Sequence, residues 1–180
     1  SSDVCSSDLG INFFPSFRPS DCTTAEYYQQ CITLAERADV LGFNSVKTVE
    51  HSFYDYGGHS PNPCVFLSAI AARTKRIRLI TGAVIPAFHH PAHLAGDLSM
   101  LDNMSNGRLE AGFGRAFLPK EFEVFGVPMS ESRARFEEAI GMICRLWTED
   151  SVTARGKFWQ LEDVHLMPRP LQQPRPRVWI

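Results

Sequence analysis

Short apolar segments alternate along the chain with longer segments in which apolar residues recur every three or four positions. The short segments predict buried β-strands, and the longer ones predict helices with one buried face. The predicted strands are 11–14, 43–49, 77–85, 108–113 and one that opens at 177–180, and the predicted helices are 24–41, 63–74, 91–104 and 130–147. Strands that alternate with helices in this way form a parallel sheet with right-handed crossovers.

Residue types at the ends of these segments indicate their boundaries. Thr23 with Glu26 three residues later matches a capping box, Gly42 ends the same helix, and Ser130 is expected to cap the last helix. The buried face of the first helix is expected to carry Tyr27, Cys31, Leu34, Ala38 and Leu41. Residues 153–165 predict a β-hairpin inserted before the last strand.

Parallel sheets occur mainly as open doubly wound sheets or as closed eight-stranded barrels. The first strand is not followed by the G-x-G-x-x-G fingerprint of a dinucleotide-binding doubly wound sheet, and no Walker motif is present. Glycine and polar residues gather instead after the second, third and fourth strands, where a barrel has its active site. The predicted fold is therefore an α/β (β/α)8 TIM barrel, truncated after about strand five.

The start of the chain differs from the rest. Residues 1–9 lack hydrophobic periodicity, have a Ser/Asp/Cys composition, and resemble the translation of a short-read sequencing adapter. We therefore predict that residues 1–9 are non-native and leave them out of the fold. Residues 10–180 are predicted to be the N-terminal part of a single barrel domain.

Composition narrows the classes of function and location. Eighteen Lys and Arg against twenty Asp and Glu give a net charge of −2, so no basic surface is available for nucleic acid. No apolar run approaches the roughly 18 residues of a membrane span. Five cysteines without a C-x-x-C pair predict reduced thiols and a cytoplasmic protein, with Cys31 as a small core residue. The H-H-x-x-H cluster at 89–93 lacks a carboxylate partner, so we predict a helix start there and no metal site.

Two candidate site segments follow the second and third strands. His51, next to Glu50, would face the barrel mouth and act as a base or hydrogen-bond donor, unless it only caps the strand end. Gly82 and Ala83 follow the third strand. Such small residues let a flat ring approach the backbone, although ordinary tight packing would use them equally well.

A third candidate segment follows the fourth strand. Gly112 and Gly114, with Arg115 directly after them, are suited to present N–H groups and a guanidinium to a phosphate. The alternative is a loop arginine in solvent. Glu121, six residues later, is expected to pair with a loop or with a substrate, and Glu50 is likewise expected to belong to the substrate or lid side of the site.

Four motifs in order along the chain resemble those of the bacterial luciferase-like flavin-dependent monooxygenase family. They are T-V-E-H-S-F at 48–53, P-A-F-H-H-P at 86–91, L-D-N-M-S-N-G-R at 101–108, and E-F-E-V-F-G at 121–126 followed by S-R at 132–133. The resemblance implies a bacterial enzyme that uses reduced FMN and O₂ to oxygenate a small organic substrate. It also implies a separate flavin reductase and a homo-oligomer.

The same resemblance implies roles for individual residues. His51 takes the place of the histidine implicated in the oxygen chemistry, and Ser52 stands where the family has a second histidine. Gly82 and Ala83 match a non-prolyl cis peptide under the flavin ring, Arg115 matches a ligand of the flavin phosphate, and Glu121 matches an acidic residue of the lid.

Three other functions are compatible with the same barrel. A deazaflavin-dependent hydride-transfer oxidoreductase is the nearest, because the segment around Glu50 and His51 does not separate it from a monooxygenase. A flavin-binding barrel without catalysis is the second. A metal-dependent hydrolase is least favoured, because strand-end carboxylates and H-x-H spacing are missing.

Overall fold

The computed structural model of the chain describes residues 9–18 and 20–180. Residues 1–8 of the predicted non-native segment lie outside this range, so the origin of residues 1–9 stays a prediction. Five parallel strands form one sheet, and two further strands form a hairpin. The strands are β1 (Gly10–Phe13), β2 (Ser45–Thr48), β3 (Arg78–Thr81), β4 (Leu109–Gly112), β5 (Val152–Arg155), β6 (Gln160–Val164) and β7 (Arg177–Trp179).

The order of strands in the main sheet distinguishes between the two predicted architectures. Neighbours follow the order β1-β2-β3-β4-β7, and every pair is parallel. A doubly wound sheet reverses its strand order at a switch point, whereas the wall of a barrel runs in one direction. The structure therefore confirms five consecutive strands of a TIM-barrel wall.

Helices connect these strands, four of them at the predicted places and one, Pro119–Val124, that was not predicted. They are α1 (Thr24–Leu41), α2 (Pro63–Arg73), α3 (Pro91–Met104), α4 (Pro119–Val124) and α5 (Ser132–Thr148). The bounds of α1 and α3 are those predicted, and the capping box of Thr23 and Glu26 is present with Gly42 in the left-handed conformation after α1. These ends were predictable because they depend on contacts within one turn of the chain.

Two predicted details of the helices are wrong. Cys31 and Ala38 are buried as predicted, but Leu34 and Leu41 are 50% and 74% exposed, and Ala35 is buried in their place. Small side chains on this face let the helix lie close to the sheet. Ser130 does not cap α5, because it lies in a short 3₁₀ turn (Met129–Glu131) that precedes the helix.

The core lies between the sheet and the helices. Cys31 is buried as predicted, and burial raises the pKa of its thiol. Trp147 of α5 is almost fully buried and donates its indole N–H to the carbonyl of Ala95 in α3. This bond ties the fourth crossover to the third. Within the described part of the chain, no helix is long and apolar enough to cross a membrane.

The predicted hairpin is present as β5 and β6, which are antiparallel. Its turn is held by Glu138 of α5, whose carboxylate accepts the backbone N–H groups of Lys157, Phe158 and Trp159 at 2.8, 2.9 and 2.9 Å. The long apolar segment predicted as a strand at 77–85 forms a strand only at 78–81. Residues 82–85 lie outside this strand, and Val84 forms an isolated parallel bridge with Phe113 just after β4.

Candidate active site

The candidate site residues all follow the carboxyl ends of the parallel strands, which meet at one edge of the sheet. Glu50 and His51 come directly after β2, Gly82 and Ala83 directly after β3, and Gly112 ends β4. The backbone joins them, because the Glu50 N–H donates to the Ala83 carbonyl at 3.0 Å. The structure therefore brings the first three predicted segments to one place.

Glycine is required where the segments after β3 and β4 approach each other. A Cβ added to Gly112 would lie 2.0 Å from the carbonyl oxygen of Thr81, and one added to Gly114 would lie 2.9 Å from the Cβ of Ala83. Thr81 also exchanges hydrogen bonds with Gly112 at 2.8 and 2.9 Å. The peptide bond between Gly82 and Ala83 is cis, the isomer that the resemblance implied.

An open cleft of about 370 Å³ lies along these segments. Its lining combines glycine and alanine with larger side chains and is formed by Lys47, Ile80, Thr81, Gly82, Ala83, Gly112, Phe113, Trp179 and Ile180. Lys47 was not predicted as a site residue. It lies in β2 between Val46 and Thr48, which are buried on the other face of the strand, and a single lysine in a strand gives no local signal of a site. A larger groove of about 440 Å³ between α1 and α2 contains none of the predicted site residues.

His51 is held on several sides. Its Nδ1 lies 3.2 Å from Oε1 of Glu121, and the rings of Phe14, Tyr56 and Phe117 lie with their centroids 5.6–6.1 Å from the imidazole. Gly57, with φ of +73°, packs on the ring edge, and a Cβ there would be 2.9 Å from His51 Cδ2. Tyr56 and Gly57 were not predicted as neighbours of His51, because they lie in a loop and loops show no periodicity.

Glu121 lies in α4, a helix that was not predicted within the segment after β4. The side chain of Glu121 is 2% exposed, and its Oε1 accepts both the His51 contact and the backbone N–H of Ser52 at 2.9 Å. Glu121 therefore pairs with the loop after β2, one of the two partners expected for it. Its Oε2 is buried without a hydrogen-bond partner in the described residues.

Both carboxylate oxygens of Glu50 have hydrogen-bond partners within the protein. Oε2 accepts the backbone N–H of Ile85 at 2.8 Å, and Oε1 contacts Nε2 of His89 at 2.7 Å. Burial of His89 by itself lowers its pKa, but the hydrogen bond and charge of Glu50 raise that pKa overall. The substrate contact predicted for Glu50 stays a prediction, and it would compete with these two partners.

The remaining candidates lie apart from this network. Arg115 is exposed, and no side-chain hydrogen bond is found for it among residues 9–18 and 20–180. His90 lies at the predicted helix start as the N-cap of α3, and exposed His93 pairs with Asp97. In the part of the chain that the structure describes, no three His, Cys, Asp or Glu side chains are grouped to hold a metal ion.

Comparison with known proteins identifies the family. The model of the luciferase-like monooxygenase family matches residues 8–180. The chain belongs to this family. A structure of monooxygenase RslO1 from Streptomyces bottropensis is 52% identical, with a TM-score of 0.94 over 96% of this chain and 52% of that chain. The oxygenating constituent of 3,6-diketocamphane monooxygenase from Pseudomonas putida, in complex with FMN, is 25% identical with a TM-score of 0.84 over 95% and 50%.

Relatives of this luciferase-like chain differ in their named cofactors. The oxygenase component of flavin-dependent trigonelline monooxygenase from Acinetobacter baylyi is 37% identical over 88% of this chain and 44% of its own length. F420-dependent glucose-6-phosphate dehydrogenase from Amycolatopsis mediterranei is 34% identical over 81% and 45%. The chain spans about half the length of these relatives, so the activity of the whole protein is a matter for proposal.

Proposed function

We propose that the full-length luciferase-like protein is a flavin-dependent monooxygenase, which uses reduced FMN and O₂ to oxygenate a small organic substrate. The observation that carries this proposal is the position of His51, which Glu121 holds directly after Glu50, whose N–H donates to Ala83 in the lining of the cleft. The 52% identity to a monooxygenase of known structure supports oxygenation over other chemistry in the family.

The cleft has the features that a flat, phosphate-bearing ring requires. Gly82, Ala83 and Gly112 contribute almost no side chain to the lining, and the stem of Lys47 packs over Gly82. A ring system that lies against this backbone therefore has to share the space with Lys47. Gly114 keeps the segment after β4 close to this backbone, and exposed Arg115 directly after it provides a guanidinium for a phosphate. These residues fit FMN, and we assign them to its binding.

When bound, reduced FMN supplies the electrons that activate O₂. The protein has to orient the substrate, limit the access of water and move a proton. We assign the proton movement to His51, whose Nε2 has no hydrogen-bond partner among the described residues. The rings of Phe14, Tyr56 and Phe117 surround His51 with apolar surface, which limits its contact with water.

Replacement of His51 tests the proposal. In the full-length protein supplied with reduced FMN, we expect His51→Ala to slow substrate oxygenation while the Kd for FMN stays within about twofold. His93→Ala is the matched control, because this side chain is 83% exposed and lies outside the site. Unchanged turnover of His51→Ala would remove His51 from the mechanism.

Replacement of Arg115 tests the flavin assignment separately. We expect Arg115→Ala to weaken FMN binding by about 1–3 kcal/mol, the contribution of one charged hydrogen bond. Riboflavin, which lacks the phosphate, should bind the variant and the parent equally. An equal loss for both ligands would contradict the assigned phosphate contact.

A deazaflavin-dependent hydride-transfer oxidoreductase is the second candidate, and the identity to the F420-dependent dehydrogenase favours it. Titration of the full-length protein with FMN and with F420, followed by fluorescence, separates the two. Tight FMN binding with O₂ uptake supports the monooxygenase, whereas binding of F420 alone supports hydride transfer. FMN binding without turnover would indicate a barrel that binds flavin but does not catalyse.

The proposal includes the partners and the location of the protein. The relative named as an oxygenase component supports a separate flavin reductase as the source of reduced FMN. The bacterial sources of the relatives support a bacterial protein. A cytoplasmic location and a homo-oligomer remain predictions from the sequence.

A further inference from the structure

The contact between Glu121 and His51 determines which imidazole nitrogen carries the proton. Oε1 of Glu121 lies 3.2 Å from Nδ1 of His51, and the same oxygen accepts the Ser52 N–H at 2.9 Å. If the Glu121 carboxylate is ionised, it can only accept hydrogen bonds, and Nδ1 is then the donor in this contact. The neutral imidazole is then the tautomer with its lone pair on Nε2.

The surroundings of the ring hold this arrangement in place. Gly57 packs against Cδ2 of His51 so closely that a Cβ would lie 2.9 Å away, which hinders rotation of the ring. The ring of Tyr56 lies 5.6 Å from the imidazole and that of Phe117 lies 5.7 Å away, centroid to centroid. Nε2, which has no partner among the described residues, is the nitrogen left for a ligand.

Burying the Glu121 carboxylate costs more free energy than is needed to hold the loop after β2 in place. The side chain is 2% exposed and its Oε2 has no donor within the part of the chain that the structure describes. A neutral amide would also accept the Ser52 N–H, without the cost of burying a charge. The buried charge is explained if it stabilises the imidazolium that forms when Nε2 takes up a proton. A buried carboxylate stabilises the histidine of hydrolytic triads in this way.

We propose that Glu121 is the positioning residue of His51: its carboxylate fixes the Nδ1–H tautomer and stabilises positive charge on the ring while Nε2 exchanges a proton with the bound reactants. The functional part of this inference rests on the proposed function, because it takes His51 as the proton-transferring group. The tautomer itself is a property of the protein without substrate.

Three variants of the full-length protein test the proposal. Glu121→Gln keeps an acceptor oxygen for the Ser52 N–H and removes the charge, and Glu121→Asp keeps the charge on a shorter side chain. Glu123→Gln is the matched control, because Glu123 lies in the same helix with its side chain 69% exposed and pairs only with Lys120 within the described residues.

The first measurement is the ¹⁵N NMR spectrum of histidine-labelled protein, with His51 assigned from the spectrum of His51→Ala. We expect the Nδ1–H tautomer in the parent, in Glu123→Gln and in Glu121→Gln, because the amide oxygen of Gln still accepts from Nδ1. A further variant, Glu121→Leu, removes the acceptor and should give a mixture of tautomers. The same tautomer in the parent and in Glu121→Leu would overturn the positioning role, whether or not the protein is a monooxygenase.

The second measurement is steady-state oxygenation. We expect Glu121→Gln to lower kcat roughly 10- to 100-fold, the usual effect of losing such a supporting partner, with FMN affinity unchanged within about twofold. Glu121→Asp should recover part of that loss. In a His51→Ala background Glu121→Gln should have no further effect, because both changes act through the same ring.

Two outcomes would contradict this part of the inference. Additive losses in the double variant would show that Glu121 acts without His51. Glu121 would be a structural residue if FMN affinity fell by the same factor as kcat, or if the melting temperature of the protein fell together with kcat. If His51→Ala itself leaves turnover unchanged, the proposed function fails, and the NMR result still decides whether Glu121 positions the ring.

Discussion

Replacing Asp39 by Asn is expected to destabilise the protein strongly and in a pH-dependent way. Asp39, buried near the end of α1, accepts three backbone N–H groups from the segment that leads into β3: Lys75 at 2.9 Å, Arg76 at 2.9 Å and Ile77 at 2.7 Å. One carboxylate thus joins a helix to a segment more than 35 residues away.

The expected magnitude follows from these three bonds. In Asp39→Asn an NH₂ group replaces one oxygen, so one N–H loses its acceptor, and the other two bonds change from charged to neutral. A hydrogen bond to a charged group contributes about 1.5–3 kcal/mol and a neutral one about 0.5–1.5 kcal/mol, so one lost bond and two weakened bonds predict a loss of about 3.5–6 kcal/mol. Glu36→Gln is the matched control on the same helix, because it removes only a partly exposed pair with Arg73, worth about 0–1 kcal/mol.

The loss should disappear in acid. Burial alone would raise the pKa of Asp39, but the three N–H groups and the Arg76 guanidinium lower that pKa overall. A lowered pKa contributes stability that is present above the unfolded value, about 3.9, and is lost as pH falls through the folded value. Urea unfolding of the full-length protein at pH 7 and at a series of lower pH values measures both effects. Equal losses for Asp39→Asn and Glu36→Gln at pH 7, or a gap between Asp39→Asn and the parent that does not narrow as the pH falls, would refute this reasoning.

Three further predictions concern packing and the site. Gly141→Ala, in α5 with open space around the added methyl, should stabilise the protein by about 0.5–1 kcal/mol in urea unfolding, and a loss of stability would show that this space is filled. Gly112→Ala should abolish FMN binding in titrations, because its Cβ would lie 2.0 Å from the Thr81 carbonyl, and unchanged affinity would contradict the tight approach of β3 and β4. Glu50→Gln should lower the raised pKa of His89, followed by NMR titration. Because the His89 pKa is raised in the folded protein, the pair stabilises fully below the unfolded value of about 6.5, and its contribution is lost as pH rises through the folded pKa. A loss of that stabilisation on acidification would contradict the assignment.

The sequence predicted the features that depend on neighbouring residues. The capping box at Thr23, Gly42 after the first helix and Pro91 at the start of α3 act within a turn of the chain, and the structure has both helices with the predicted bounds. Strand ends were less accurate, since β3 stops at Thr81 although the apolar segment continues to Ile85. The end of a strand depends on where its neighbours stop pairing, which the strand's own residues do not record.

For the candidate site, the sequence indicated the residues but not the contacts between them. His51 and Glu121 were both singled out, yet they are 70 positions apart, and only packing of α4 against the loop after β2 brings them together. Lys47, Tyr56 and Gly57 were missed, because a single lysine in a strand and a loop without periodicity carry no local signal of a site.

The sequence alone therefore determined the alternation of strands with the main helices, the ends of α1 and α3 and the class of fold, because these follow from hydrophobic periodicity and local hydrogen bonding. Only the tertiary structure decided which buried carboxylate meets which partner. Asp39, Glu121 and Glu138 each accept backbone N–H groups from segments about 20 to 70 residues away. A carboxylate does not select such donors by sequence. It binds the N–H groups that the fold leaves without a partner inside the protein, and these are defined only after the helices have packed on the sheet.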